Sequence, residues 1–161
     1  MSWTLVRVDD RLIHGQVVIA WGGRFAPSRI WVVDDASAAN PWERELLASG
    51  APGIEVTVCG VAEAAAGFEA ERARPGAAFL VVRDLAAALA LREAGAVFPV
   101  LNLGGLHHAP GKTKLNEYVY LGDADRAAAR RLLALGVRIE VQDVPASPAR
   151  PLAELDPSVS A

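Results

Sequence analysis

Trp3-Thr4-Leu5-Val6-Arg7-Val8-Asp9-Asp10-Arg11-Leu12-Ile13-His14-Gly15-Gln16 joins two kinds of sequence. Its first half, Trp3 to Val8, is rich in aromatic and β-branched residues and reads as a strand. Its second half packs two carboxylates, two guanidinium groups and an imidazole between Arg7 and His14, and a helical pattern runs from Gln16 to Phe25. A strand that carries polar residues to its carboxyl end and then feeds a helix is the opening of an α/β unit.

The alternation repeats along the chain. Ile30 to Val33 reads as a strand and is followed by Asp34-Asp35. Pro41 to Ser49 reads as a helix, with Asn40 as N-cap, Pro41 in the first turn and Gly50 as the stop. Ile54 to Cys59 is a third strand, and Val61 to Arg72 a helix weakened by Gly67. Ala78 to Val82 is a fourth strand, and Asp84 caps a helix that reaches about Ala94 and ends at Gly95. Val97 to Leu101 reads as a fifth strand, with Asn102-Leu103-Gly104-Gly105 as a turn-rich loop. Glu117 to Leu121 is a short strand, Asp123 caps a helix to Leu135 that Gly136 ends, and Val137 to Val141 is the last strand. Apolar strands alternating with helices predict a single-domain α/β fold, with a mostly parallel central sheet covered by helices on both faces. Ligands of such sheets bind beyond the carboxyl ends of the strands. Residues 9–15, 34–35, 83–84 and 102–108 are therefore the places to look for chemistry.

Composition narrows the function. The chain has 161 residues, a formal net charge of −3 and interspersed charges, which argues against nucleic acid as a partner. Cys59 is the only cysteine, which rules out an intrachain disulfide and a multi-cysteine zinc site. The start lacks the apolar stretch of a secretory signal, and no window approaches the roughly 18 to 20 apolar residues that span a bilayer. A cytoplasmic protein is expected, reaching a membrane only through partners. After Val144, Pro145, Pro148, Pro151 and Pro157 punctuate an Ala- and Ser-rich tail. That tail reads as weakly ordered, or as an arm packing on a second subunit.

The polar cluster suits phosphoryl transfer. A histidine with a pKa near 6.5 has a free ring lone pair at neutral pH that can attack phosphorus. Arg11, and with it Arg7, would meet the charge of a phosphoryl group through bidentate hydrogen bonds. Gly15 admits a close backbone approach, and the N–H groups from Gln16 onward are oriented donors. Either Asp9 or Asp10 would fix the imidazole tautomer by accepting its other ring N–H.

Val8-Asp9-Asp10-Arg11-Leu12-Ile13-His14-Gly15-Gln16-Val17 closely resembles the phosphorylation-site segment of the enzyme IIB subunits of the mannose/fructose/sorbose family of the bacterial sugar phosphotransferase system. Trp31 to Ala36, Asn102 to Gly105, Gly136 to Glu140 and Gln142 to Pro145 resemble further family segments in the same order. The match covers roughly residues 3–145, so residues 1–145 form the IIB domain and 146–161 lie outside the pattern. The resemblance implies that His14 accepts a phosphoryl group through Nδ1 from a IIA partner and passes it to a sugar during uptake through membrane IIC/IID subunits. It implies that Arg11 binds the phosphoryl oxygens and that Asp10 orients the ring. It also implies a homodimer and no metal or organic cofactor. Arg7, Asp9, Gly15, Gln16, Arg83, Asn102, Gly104 and Gly105 are the remaining candidates for phosphoryl or partner contacts, the glycine pair as an anion-binding turn. The sugar is open, because the resemblance places its recognition largely in the membrane subunits. A phosphorylated regulatory module without transport would have almost the same sequence. A third class, a metal-dependent hydrolase, would draw on His14, His107, His108 and the strand-end aspartates. His107-His108 otherwise reads as a loop pair contacting the partner or the phosphoryl group. Trp21, Trp31 and Trp42 read as core or interface aromatics.

Overall fold

The structure, a computed structural model, describes residues 3–160. β1 (Trp3–Asp9) is the organising strand. Its inner residues Leu5 to Asp9 are all buried, as a strand flanked on both edges and covered on both faces requires. On one side it pairs with β4 (Ala78–Val82), beyond which lie β2 (Arg29–Val33) and β3 (Glu55–Cys59). On the other it pairs with β5 (Val100–Gly105), followed by β8 (Arg138–Val141) and β9 (Arg150–Pro151). The order is β3-β2-β4-β1-β5-β8-β9, parallel throughout except for the antiparallel β8–β9 pair.

Two apolar layers sandwich this sheet. On one face Val17 and Trp21 of α1 pack with Leu5, Leu12, Ile30, Val32, Phe79 and Val81, and Ala38 and Leu47 join from α2 (Asp35–Ala38) and α3 (Pro41–Ser49). α1 is π-helical over Gln16–Trp21 and α-helical over Gly22–Phe25. On the other face lie α4 (Val61–Arg72), α5 (Leu85–Glu93) and α6 (Asp123–Ala134), which bury Phe68, Leu85, Leu91 and Leu132 against Val6, Val8, Leu80, Leu101 and Leu103. β1 therefore hands the chain to one face and β4 to the other. That makes the carboxyl ends of these neighbouring strands a topological switch point, where ligands of such sheets bind.

Local signals account for several boundaries. Asn40 accepts the N–H groups of Trp42 and Glu43 at the start of α3, and Asp84 accepts that of Ala87 at the start of α5. Four expectations need correction. The fifth strand begins later than Val97 and runs on through Asn102-Leu103-Gly104-Gly105, because Leu101 and Leu103 enter the core while β1 and β8 hold both edges. Asp123 is not the cap of α6 but its first residue. Gly122 is the cap, and its N–H donates to Asp125. The strand expected over Glu117 to Leu121 is confined to β7 (Tyr120–Leu121), which pairs antiparallel with β6 (Thr113–Lys114), because Asn116 accepts the N–H groups of Tyr118 and Val119 and turns the chain before it. Trp42, 76% exposed, keeps the interface alternative of its reading.

The tail is the fourth. Residues 150–159 return to their own chain instead of hanging loose. β9 adds to the sheet edge, α7 (Leu152–Leu155) follows, and a 3-10 turn spans Pro157–Val159. Leu152 and Val159 are buried against the α6 face, Arg126 pairs with Asp156 at 2.8 Å, and Arg130 donates to the Ser158 carbonyl. Leu152→Ala should therefore cost about 2–5 kcal/mol in urea unfolding, as core truncations do. A tail packed only loosely would show almost no change.

Candidate functional site

Arg7 and Asp9 lie two apart on β1 and so point to the same face. Both side chains are fully buried and pair at 3.1 Å. A buried charge pair is tolerable only when its remaining donors and acceptors are matched. Arg7 Nη1 donates to Asn102 Oδ1 and to the Gln142 carbonyl, Nη2 donates to the Asp143 carbonyl, and the guanidinium lies over the Trp21 ring at 5.3 Å. Burial draws the Arg7 pKa below its ordinary value and the Asp9 carboxylate opposes that, so the group stays charged.

The glycine pair of β5 makes the room. A Cβ at Gly104 would sit 1.8 Å from Cζ of Arg7, and one at Gly105 would sit 3.2 Å from both Asp9 carboxylate oxygens. Asn102, Gly104 and Gly105 thus house the buried ion pair. They are not an anion-binding turn, and Arg7, wholly buried with both Nη atoms donating to protein acceptors, is not a surface phosphoryl ligand.

Asp9 carries the pair's influence outward. Oδ1 accepts the Arg11 backbone N–H at 3.1 Å, and the Asp9 carbonyl accepts the N–H of Leu12. The loop then reverses through Leu12, whose φ of 58° is left-handed while its side chain is buried. Such a backbone costs about 1–3 kcal/mol and persists only where its surroundings enforce it. The reversal brings His14 back over Asp9, with Nε2 2.9 Å from Oδ2. The carboxylate stands off the N–H axis, so this contact is electrostatic more than an aligned hydrogen bond. Burial alone would raise the Asp9 carboxyl. The contact with His14 and the charge of Arg7 outweigh it, and the carboxyl lies below its ordinary value.

An aspartate beside Nε2 favours the proton there and leaves the lone pair on Nδ1. Nδ1 accepts from the Gln16 backbone N–H at 3.3 Å, at the entry to the π-helical turn. Arg11, 38% exposed, donates Nη2 to Gln16 Oε1 at 2.8 Å and approaches Asp9 through Nε. The space above Gly15 is open. His14, Arg11 and Gln16 therefore form a half-open rim with a ring nitrogen, a partly exposed cation and a backbone donor.

Asp10 is not the residue against His14. Its two oxygens take the ring Nδ1 of His107 at 2.6 Å and the His107 backbone N–H at 2.7 Å. Arg83 spans to the same edge, pairing with Asp34 at 3.0 Å and donating to the Asp10 carbonyl. His108 turns away to an edge-on contact with Tyr120, and among the described residues no three His, Cys, Asp or Glu side chains gather as a metal set would. Cys59 is buried and its thiol is pushed up to about 11, chiefly by that burial, so it is no competing nucleophile. A larger cleft, about 420 Å³, opens between Trp3–Val6 of β1 and residues 97–100, and His14 is not among its walls.

The sequence model of the PTS system sorbose subfamily IIB component matches residues 3–158. The chain belongs to this family. It is 33% identical over 149 residues to the sorbose-specific EIIB component of Klebsiella pneumoniae, covering 92% of this chain and 91% of that one. It is 34% identical over 145 residues to the mannose-specific EIIAB component of Escherichia coli K12, spanning 89% of this chain but 45% of that longer protein. The crystal structure of the IIBSor domain of the Klebsiella pneumoniae sorbose permease superposes with a TM-score of 0.87 at 31% identity, over 96% of each chain. The family match reaches Pro157-Ser158, so the folded-back tail belongs to the IIB domain.

Sequence reasoning missed the roles of Trp21 and of the Gln142 and Asp143 carbonyls as the housing of Arg7. The i, i+2 spacing of Arg7 and Asp9 on a buried strand was the available signal for the pair itself.

Gly104→Ala should destabilise the protein by at least ~2 kcal/mol in denaturant unfolding, because a fully packed guanidinium must move. An unaffected midpoint would contradict the described packing. Acid should act through the paired carboxylates. Asp34 is buried, which raises its carboxyl, but Arg83 and Ser37 lower it further, and its folded pKa is depressed. Its stabilisation is therefore complete above the unfolded value near 3.9 and is lost as pH falls through the folded value. Asp34→Asn should be less stable than the parent at pH 7 and lose less on acidification below pH 4, read by thermal melts across pH.

Proposed function

We propose that this IIB component is a phosphohistidine carrier: His14 accepts a phosphoryl group on Nδ1 from a IIA partner and transfers it to a sugar during uptake through IIC/IID membrane subunits. The observation that carries this reading is the arrangement of the His14 ring, with Nε2 against buried Asp9 and Nδ1 at the open rim beside Arg11 and the Gln16 N–H. Family membership supplies the phosphotransfer context.

The chemistry follows from the groups present. As Nδ1 attacks phosphorus, positive charge develops on the imidazole, and Asp9, already anionic and 2.9 Å from Nε2, stabilises it. The Gln16 N–H, which donates to Nδ1 in the free enzyme, is released to a phosphoryl oxygen. Arg11 swings from Gln16 Oε1 to the same group and supplies charge-assisted hydrogen bonds. Leu12 strain and the buried Arg7–Asp9 pair keep these groups in place before the phosphoryl group arrives. No helix among the described residues is long and apolar enough to cross a membrane, which suits a carrier that meets the permease at the inner membrane face.

The test is phosphorylation of the purified chain by phosphoenolpyruvate and its upstream donors, read by intact mass and peptide mapping. We expect a gain of one acid-labile phosphoryl group, absent from His14→Ala. No gain with demonstrably active cognate donors would overturn the proposal. Arg11→Ala should keep its unfolding free energy within about 0.5 kcal/mol, because the side chain is substantially exposed. Its phosphoryl transfer should slow about 10- to 100-fold, the equivalent of one charged hydrogen bond worth about 1.5–3 kcal/mol. An unchanged rate would remove Arg11 from the site.

A further inference from the structure

His107 is exposed yet doubly held by Asp10. It sits just beyond β5, and its side chain is 58% exposed. One carboxylate fixes it twice: Asp10 Oδ2 accepts its backbone N–H at 2.7 Å, and Asp10 Oδ1 meets ring Nδ1 at 2.6 Å. Asp10 is held in turn, its N–H donating to the Gly105 carbonyl and its carbonyl accepting from Arg83. A carboxylate at that distance fixes the proton on Nδ1, so the second ring nitrogen, Nε2, carries the lone pair on an accessible imidazole. This is the orientation in which an aspartate presents a histidine as a general base. Asp9 and Asp10 are consecutive. One holds His14 and the other holds His107, so both imidazoles are anchored to the same end of β1.

The two halves of a carrier's cycle differ in what they demand. Receiving a phosphoryl group from a phosphohistidine donor passes it from nitrogen to nitrogen, and no proton need be removed from the nucleophile. Passing it to a hydroxyl is different, because that hydroxyl must lose its proton. Among the described residues, the charged side chains that meet at His14 are poorly suited to take it: Asp9 is buried between Arg7 and His14, and Arg11 is a cation.

We propose that His107, oriented by Asp10, is the general base for the hydroxyl-accepting half-reaction. This inference rests on the phosphohistidine reading above. In the step, the sugar hydroxyl oxygen bonds to phosphorus and the P–Nδ1 bond of phosphorylated His14 breaks, its electron pair returning to Nδ1. The hydroxyl proton passes to Nε2 of His107 and from there to water. Atoms and charge balance without a further reactant.

The test measures the two half-reactions separately in His107→Asn and His107→Ala. Asn keeps an N–H that can reach Asp10 but has no basic nitrogen, so it preserves the tether and removes the base. Rate one is phosphorylation of the full chain by its donor proteins and phosphoenolpyruvate. Rate two is loss of the label from the phosphorylated chain to sugar, in membrane vesicles containing the cognate permease. We expect His107→Asn to be phosphorylated within about twofold of the parent rate and to deliver phosphate to sugar at least tenfold more slowly, with His107→Ala no faster in the second step. Parent-like delivery by His107→Asn would overturn the inference and assign the proton to a permease group. Equal slowing of both half-reactions would also overturn it, making His107 a structural tether. Failure of the parent chain itself to be phosphorylated would instead overturn the carrier reading on which the inference stands.

Discussion

The ion pair between Arg7 and Asp9 is the constraint around which the rest of this protein is arranged. Two opposite charges with no solvent exposure sit in the central strand of the sheet. Removing either partner of such a pair typically costs about 3–5 kcal/mol, because the other is left uncompensated. The surrounding chain answers that demand with an amide from β5, two carbonyls after β8 and the face of Trp21. It also gives up side chains at Gly104, where a methyl group would collide with Arg7, and at Gly105, where one would press on Asp9. Segments from four parts of the sequence are thus tied to one guanidinium.

The pair is more than an internal brace, because Asp9 faces both ways. Its Oδ2 is shared between Arg7 Nη2 and His14 Nε2, and its Oδ1 accepts the Arg11 N–H. The loop that returns His14 to Asp9 passes through a left-handed Leu12 and enters its helix through a π-helical turn. Both features are uncommon, and both cluster where function needs a fixed geometry. Core burial of Leu12 and the hydrogen bonds to Asp9 hold that geometry in place. The orientation of the His14 ring is therefore set from the interior of the sheet, with Nε2 toward Asp9 and Nδ1 toward the Gln16 N–H.

Much of this was legible wherever the signal was local. Asn40-Pro41 and Gly50 bound α3 as caps and stops should, and α4 and β4 begin and end where their composition changes. The segment from Arg7 to Gln16 reads as a dense polar cluster, and Arg7, Asp9, Arg11, His14 and Gln16 do meet at the end of β1. What failed was non-local. Gly104-Gly105 has the composition of a turn, but it lies in a central strand because Arg7, far away in sequence, needs the space. Adjacent Asp9 and Asp10 cannot be told apart by composition. Strand alternation, carried one residue further along β1, puts Asp9 on the face of Arg7 and leaves Asp10 to the loop that brings His107. The tail reads as coil from its prolines, and Leu152, Leu155 and Val159, spaced along a Pro-, Ala- and Ser-rich stretch, are the hint that it packs.

In the proposed function, buried Asp9 holds Nε2 of His14 and so reserves Nδ1 for phosphorus. The most direct measurement is heteronuclear NMR of the phosphorylated chain with 15N-labelled histidine, which distinguishes the two ring nitrogens by their coupling to phosphorus and to the ring protons. The account predicts phosphorus bonded to Nδ1 of His14, with Nε2 still protonated. A phosphoryl group on Nε2 would contradict it, because that nitrogen is the one held against the Arg7–Asp9 pair.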